Sequence, residues 1–343
     1  MNQREVVERI CDAALRWSDP EQSERVAAVH QTLSRANTFT PEAIGFALDH
    51  TTAELTDPKL TSWLNGRSSS RPSTVCVLSA GNIPAVEFQD WLAVILTGHR
   101  YLGVLSSKSN ALLPAFVESA RLGDSTTFVS LSEGLELADA LVATGSDDTV
   151  DEVGARALAG GIRPDRTLFR GTSYSVAVLS GKESESDMLG LAEDCLLHEA
   201  RGCRSVPIVW VPRGFSPDDF LGAAAMFRSL FPAHASTMSS LRIPKALLEA
   251  LGVPCAFADD LSFLVSLGEP AVQEPCHIRW VEYDAVVEAW SWVQQNYDEI
   301  QLVAAAADVS AEGVVAVPLG TTQRLPITWL PDGVDTVEFL CGL

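Results

Sequence analysis

From Thr74 onward, short apolar runs alternate with stretches of helical period, and no other feature constrains the fold as tightly. Residues 74–79, 101–105, 126–131 and 140–143 read as buried strands, with helices over 85–96, 111–122 and 147–158 between them. Such alternation predicts a doubly wound parallel sheet. A second series follows, with strands over 174–179 and 207–211 and helices over 186–199 and 218–230. Later apolar runs at 261–267, 277–283, 301–306 and 314–318 supply further strands, so a second α/β unit is expected. Ahead of both, residues 6–17 and 23–36 have helical period, and Thr40 followed by Pro41 opens a third helix as its N-cap. Residues 65–72 form a polar break. The apolar segment 334–340 is expected to be a terminal edge or exchange strand that supports a homo-oligomer.

The 343 residues carry 24 Lys and Arg against 45 Asp and Glu, a net charge of −21, with 47% hydrophobic residues. At roughly 100–200 residues per domain, that length holds two or three domains. The acidic balance disfavours nucleic-acid partners and anionic membranes, and an anionic cofactor would need local cations. The first residues contain no apolar signal core, and the apolar stretch 91–96 is far shorter than the ~20 residues that span a bilayer, so a cytoplasmic location is expected. Seven scattered cysteines without C-x-x-C spacing argue against a disulfide framework or a structural metal site.

No two glycines stand two positions apart, which excludes the G-x-G-x-x-G fingerprint, and Gly181-Lys182-Glu183 lacks the rest of a P-loop. His198-Glu199 has no second His at zinc-protease spacing, and there is no G-x-S-x-G elbow. What remains is Ser79-Ala80-Gly81-Asn82-Ile83-Pro84, which places Asn82 beyond the carboxyl end of a strand, where open α/β sheets bind ligands. The same residues would equally serve as a plain turn into the next helix. Thr144-Gly145-Ser146 presents small side chains and backbone N–H groups at a helix entrance suited to phosphate or ribose. Cys203, in Arg201-Gly202-Cys203-Arg204, lies between two guanidinium groups that would favour its thiolate, whereas Cys76 and Cys195 have the apolar context of packing residues.

Taken in order, Ala80-Gly81-Asn82-Ile83-Pro84, Phe88-Gln89-Asp90-Trp91, Leu96-Thr97-Gly98-His99, Leu105-Ser106-Ser107-Lys108, Ala143-Thr144-Gly145-Ser146, residues 175–181 and Gly202-Cys203-Arg204-Ser205-Val206 resemble the LuxC-type fatty acyl-CoA reductases. So does the ending 332–340. That family is a compact branch of the aldehyde dehydrogenase superfamily. The resemblance runs from about Thr74 to the C-terminus and implies a nicotinamide-binding α/β domain over 73–175, a catalytic α/β domain over 176–325 and a C-terminal oligomerisation strand within 326–343; the helical segment over 1–72, expected to pack on the cofactor domain, fits the family only loosely. Carried across, Cys203 matches the nucleophile and Asn82 the oxyanion-hole amide. Ser79, Ser106, Ser107, Lys108, Thr144, Gly145 and Ser146 fall at the cofactor-binding positions. The implied reaction is NADPH- or NADH-dependent reduction of an acyl-CoA, or another acyl thioester, to an aldehyde through a Cys203 thioacyl-enzyme. An acyl-donating enzyme is a further implied partner.

Two departures stand out. Residues 168–172 contain no Glu to activate water, which disfavours oxidation to a free acid. Val104 occupies the place of a family Lys that touches the cofactor's adenosine ribose, leaving Arg100 or Lys108 to take over its role. The rival readings are an acyltransferase or thioesterase that keeps Cys203 chemistry without nicotinamide, and a non-catalytic partner in an acyl-processing complex.

Overall fold

A computed structural model describes residues 2–306 and 316–343. The chain divides into two compact units, one formed by Met1–Asn37, Ile44–Thr172 and Pro326–Leu343, the other by Thr38–Ala43 and Ser173–Leu325.

Four helices come first: α1 (Gln3–Trp17), α2 (Ser23–Leu33), α3 (Pro41–Glu54) and α4 (Asp57–Leu64). The Asn2 side chain accepts from Glu5 N at 2.8 Å and caps α1, which buries Val6, Ile10, Ala13, Ala14 and Trp17 along one stripe. Thr40 Oγ1 accepts from Ala43 N at 3.2 Å, as its predicted capping role requires. Helix α4 ends at Asn65 in the left-handed conformation (φ 48°).

The first sheet follows, built from β1 (Thr74–Leu78), α5 (Phe88–Leu96), β2 (Arg100–Val104), α6 (Leu112–Ser119), β3 (Thr126–Phe128), α7 (Leu131–Leu137), β4 (Ala140–Thr144), α8 (Asp147–Ala159) and β5 (Thr167–Arg170). Its order is β3-β2-β1-β4-β5, with every pairing parallel. Chain direction across the sheet reverses between β1 and β4, so the loops after these two strands flank the crevice where such sheets bind ligands. The run 126–131 is not one strand: β3 stops at Phe128, and Ser130 caps α7 by accepting from Glu133 N at 3.3 Å. Likewise α5 begins at Phe88 rather than Ala85, because Ala85 is left-handed (φ 58°) and cannot continue a right-handed helix.

The second unit contains β6 (Tyr174–Val178), α9 (Glu185–Leu196), β7 (Ile208–Pro212), α10 (Asp218–Leu230), α11 (Ala235–Ser240), α12 (Arg242–Leu251), β8 (Cys255–Phe257), β9 (Leu264–Leu267), β10 (His277–Tyr283), α13 (Val286–Gln295), β11 (Ile300–Ala305) and β12 (Ala316–Val317). Its sheet runs β12-β11-β6-β7-β10-β9-β8, parallel except for the β8–β9 pair. Val314 and Val315 of the expected strand 314–318 lie outside the described residues, while Ala316 and Val317 pair with β11.

The expected C-terminal strand is a helix, α14 (Thr336–Cys341). Asp335 Oδ1 caps it by accepting from Glu338 N at 3.1 Å, and its Val337 and Leu340 side chains are fully buried within the first unit. His99 holds its far end: Nδ1 accepts from Ser73 N at 3.0 Å, so the proton lies on Nε2, which donates to Leu340 O at 2.9 Å. With its apolar face covered by its own unit and its backbone bonded within a helix, this segment offers no edge for exchange, and the oligomerisation strand does not exist. No helix among the described residues is long and apolar enough to cross a membrane.

Candidate functional site

All seven predicted cofactor residues lie, with Gly81, at or just beyond the carboxyl ends of β1, β2 and β4. Ser79 leaves β1 with its N–H on Val104 O at 3.2 Å and its hydroxyl buried beside the Tyr101 hydroxyl. A Cβ on Gly81 would fall 1.9 Å from Ser106 Oγ, so only glycine lets the loop after β1 lie against the loop after β2. Ser106 Oγ in turn accepts from Lys108 N at 3.3 Å, while the Ser107 and Lys108 side chains are exposed. Across the crevice, Thr144 Oγ1 ends β4, also buried and without a partner. Gly145 N donates to Arg170 O at 3.1 Å, and Ser146 caps α8 through Thr149 N at 3.4 Å. Asp147 and Asp148 occupy the first turn of α8, which weighs against phosphate there and in favour of a hydroxyl-bearing ligand such as ribose. Asn82 is half-buried on the irregular stretch between β1 and α5.

Val104 faces away from this crevice. It packs with Leu78 and Leu131 on the cluster of Cys76 and Leu135, and a Cβ on Gly134 would come within 3.3 Å of it. Arg100 begins β2, some four residues or ~13 Å from Val104 along the strand, so it cannot supply the missing cation. Lys108, in the loop after β2, is at the right end. Where a water-activating Glu is absent, Arg170 closes β5, its Nη1 2.9 Å from both Asp90 carboxylate oxygens and its Nη2 2.7 Å from Thr336 Oγ1.

Beneath the Ser106–Lys108 loop lies Glu87, a residue the sequence reading passed over. It is 1% exposed, with Oε1 accepting from Ser109 Oγ at 3.4 Å and Oε2 without a partner. Burial pushes its pKa from 4.5 up to about 7. The unfolded chain releases this proton near 4.5 and the folded one only near 7, so Glu87's contribution to stability is full below pH 4.5 and is lost as pH rises through 7. Glu87→Gln is therefore expected to exceed wild type in stability at pH 8 by about 3 kcal/mol more than it does at pH 4. Urea titrations at the two pH values check this; an equal difference at both would contradict it.

Cys203 belongs to the second unit, on the loop between α9 and β7, and is half-buried. Its carbonyl accepts from Ser175 Oγ at 3.1 Å, and Val206 N donates to Asp194 O at 3.1 Å, so the loop is fixed to β6 on one side and α9 on the other. Burial lowers the pKa of Arg204, and the neighbouring Cys203 opposes that shift, which places the Arg204 charge in reach of the thiol. Burial pushes Cys276 up to about 12, against lowering by Arg228 and, more weakly, by Arg201. Other thiols have the opposite surroundings: burial pushes Cys76 up to about 12 and raises Cys195, Cys11 and Cys341.

The approach to Cys203 is unusual. His198, Glu199 and Ala200 all have left-handed backbone, with φ of 55°, 57° and 53°. For residues with a Cβ this costs roughly 1–2 kcal/mol each. His198 is buried, and desolvation, with Arg204 adding, pushes its pKa down to about 3, so its imidazole is neutral.

No family model matches the chain, and no curated protein matches it in sequence. Solved structures do share its fold. An NAD-dependent benzaldehyde dehydrogenase from Corynebacterium glutamicum superposes with a TM-score of 0.66 at 14% identity, over 90% of this chain and 77% of that one. An indole-3-acetaldehyde dehydrogenase complexed with NAD+ gives 0.69 at 12% identity, over 90% and 73%. A Mycobacterium tuberculosis aldehyde dehydrogenase complexed with NAD+ gives 0.64 at 12%, over 90% and 74%. The fold is therefore that of the aldehyde dehydrogenases.

Proposed function

We propose that this chain is an NAD(P)H-dependent reductase of acyl thioesters, with acyl-CoA as the substrate class, forming an aldehyde through a thioacyl-enzyme on Cys203. The observation that carries the reading is a half-buried thiol, adjacent in sequence to Arg204, on a loop tied to β6 and α9 in a chain with the aldehyde dehydrogenase fold. Cys203 Sγ attacks the thioester carbonyl carbon; the new C–S bond replaces the bond to CoA, which leaves as its thiolate. The role assigned to the Asn82 amide is to donate a hydrogen bond to the oxyanion formed in that step. Arg170, locked to Asp90, supplies no base for water in the segment 168–172, which favours a thioacyl group that survives until reduced.

The crevice of the first unit suits a dinucleotide. The buried hydroxyl of Thr144 lacks a partner, the Gly81–Ser106 contact brings backbone close, and Lys108 offers a cation. Ser79, Ser106, Ser107, Lys108, Thr144, Gly145 and Ser146 would hold it. A bound nicotinamide would supply a hydride to the thioester carbonyl carbon; the new C–H bond replaces the C–S bond, and Cys203 leaves as its thiolate when the aldehyde forms.

Incubation with an acyl-CoA is expected to add one acyl group by intact mass to wild type and none to Cys203→Ala, and NADPH or NADH should then discharge the adduct as aldehyde. An adduct retained in Cys203→Ala would overturn the assignment. The packing of Val104 into the core favours one rival, acyl transfer without nicotinamide, and an adduct that neither cofactor discharges would establish it.

A further inference from the structure

The left-handed turn at 198–200 is held by a buried ionic cluster. Glu199 is 4% exposed; its Oε1 accepts from Arg228 Nη1 at 3.0 Å and its Oε2 from His234 N at 3.2 Å. Arg228, on α10 and itself buried, also donates from Nη1 to Phe231 O at 3.3 Å and from Nη2 to Cys276 Sγ at 3.1 Å. Cys276 is another left-handed residue, with φ of 63°. Three consecutive side-chain-bearing residues persist in this conformation only where their surroundings over-determine it. The glycine of this loop, Gly202, lies outside the strained run, so the strain is not relieved at any of its three positions.

We infer that the left-handed turn 198–200 is a positioning element for Cys203: the buried Glu199–Arg228 pair anchors it, and the stiffness of its three left-handed residues sets the direction in which the thiol is presented. This rests on Cys203 being the acyl acceptor proposed above. Upstream the loop is fixed by Glu199, and downstream by Ser175 on the Cys203 carbonyl and Asp194 on Val206, so Cys203 sits between clamps with three residues to the nearer fixed side chain's strained turn. Glu199 is not a proton acceptor for the reaction, since both its oxygens are occupied by donors from α10 and from the segment after it.

Glu199→Gln removes the charge pair and risks the fold, so the decisive variant is Ala200→Gly. It leaves the Glu199–Arg228 contacts in place and removes the Cβ that makes φ of 53° unfavourable. Thermal stability is expected to rise slightly, while acylation of Cys203 by acyl-CoA slows about tenfold as the turn gains freedom, with kcat falling and KM little changed. A residue that only supports the fold would move stability alone. Iodoacetamide labelling of Cys203, read by peptide mass, follows thiol presentation without any substrate and should slow in parallel. Labelling and acylation both at wild-type rates in Ala200→Gly, or a fall in its stability, would overturn the inference. Wild type that alkylates at Cys203 but is never acylated would instead overturn the proposed function, and slower alkylation in Ala200→Gly would then still support the positioning role.

Discussion

Asp90→Ala is expected to destabilise the protein by about 3–5 kcal/mol, because it leaves the Arg170 guanidinium charged, buried and unpaired. The Arg170 and Asp90 side chains are 6% and 11% exposed; Asp332, whose pKa Arg170 lowers against the larger opposing effect of burial, is a nearby carboxylate, and it holds none of the hydrogen bonds that Asp90 accepts. For a chain of this size the melting temperature should fall by roughly 4–7 °C. Thermal melts of three variants separate the contributions. Thr336→Val removes one hydrogen bond to a charged group and should cost about 1.5–3 kcal/mol. The double variant Asp90→Leu with Arg170→Met leaves no orphaned charge and should be milder than Asp90→Ala alone. A double variant as unstable as the single one would show that packing rather than charge holds this corner.

Asn82→Ala is expected to lower kcat for acyl-thioester reduction by roughly 10²–10³, with KM nearly unchanged, because an oxyanion exists in the transition state and not in the bound substrate. The loop that carries Asn82 supports this reading. Gly81 is pressed against Ser106 and Ala85 is left-handed, so the loop is held in a conformation that an ordinary helix entrance does not require. Steady-state kinetics with a saturating cofactor decide it. A normal kcat would reduce Asn82 to a turn residue.

The strands were largely legible in the sequence because buried parallel strands are written as continuous apolar runs, and 74–79, 174–179 and 277–283 need no tertiary knowledge to find. Misreadings arose where a capping signal stood inside an apolar run. Ser130-Leu131-Ser132-Glu133 and Asp335-Thr336-Val337-Glu338 both have a capping residue three places before a Glu, and each starts a short helix that the surrounding Val, Phe and Leu disguised as strand. The site divides the same way. Cys203 and the serines of the crevice stand in contiguous motifs, whereas Glu199 finds Arg228 twenty-nine residues away and Glu87 finds Ser109 twenty-two away, distances at which one sequence carries no signal of proximity. Arg170, bonded to Asp90 across 80 residues and to Thr336 across 166, was invisible for that reason.

Helix α9 meets the segment around Gly320 at a place with no room for a side chain. A Cβ on Gly190 would lie 2.8 Å from Gly320 Cα, and one on Gly320 would lie 2.7 Å from Gly190 Cα. One turn later, the Asp194 carboxylate accepts from Gly320 N at 2.6 Å, Thr322 N at 3.0 Å and Thr322 Oγ1 at 2.7 Å, and the backbone carbonyl of the same residue holds Val206. Asp194 thus joins two stretches of chain that are 114 residues apart, counted from Val206 to Gly320. In the language of protein engineering, α9 is a fixed-length spacer: graftable with both partner segments, intolerant of a one-residue insertion between 190 and 194, and a poor place to seek variation when the loop that carries Cys203 is to be redesigned.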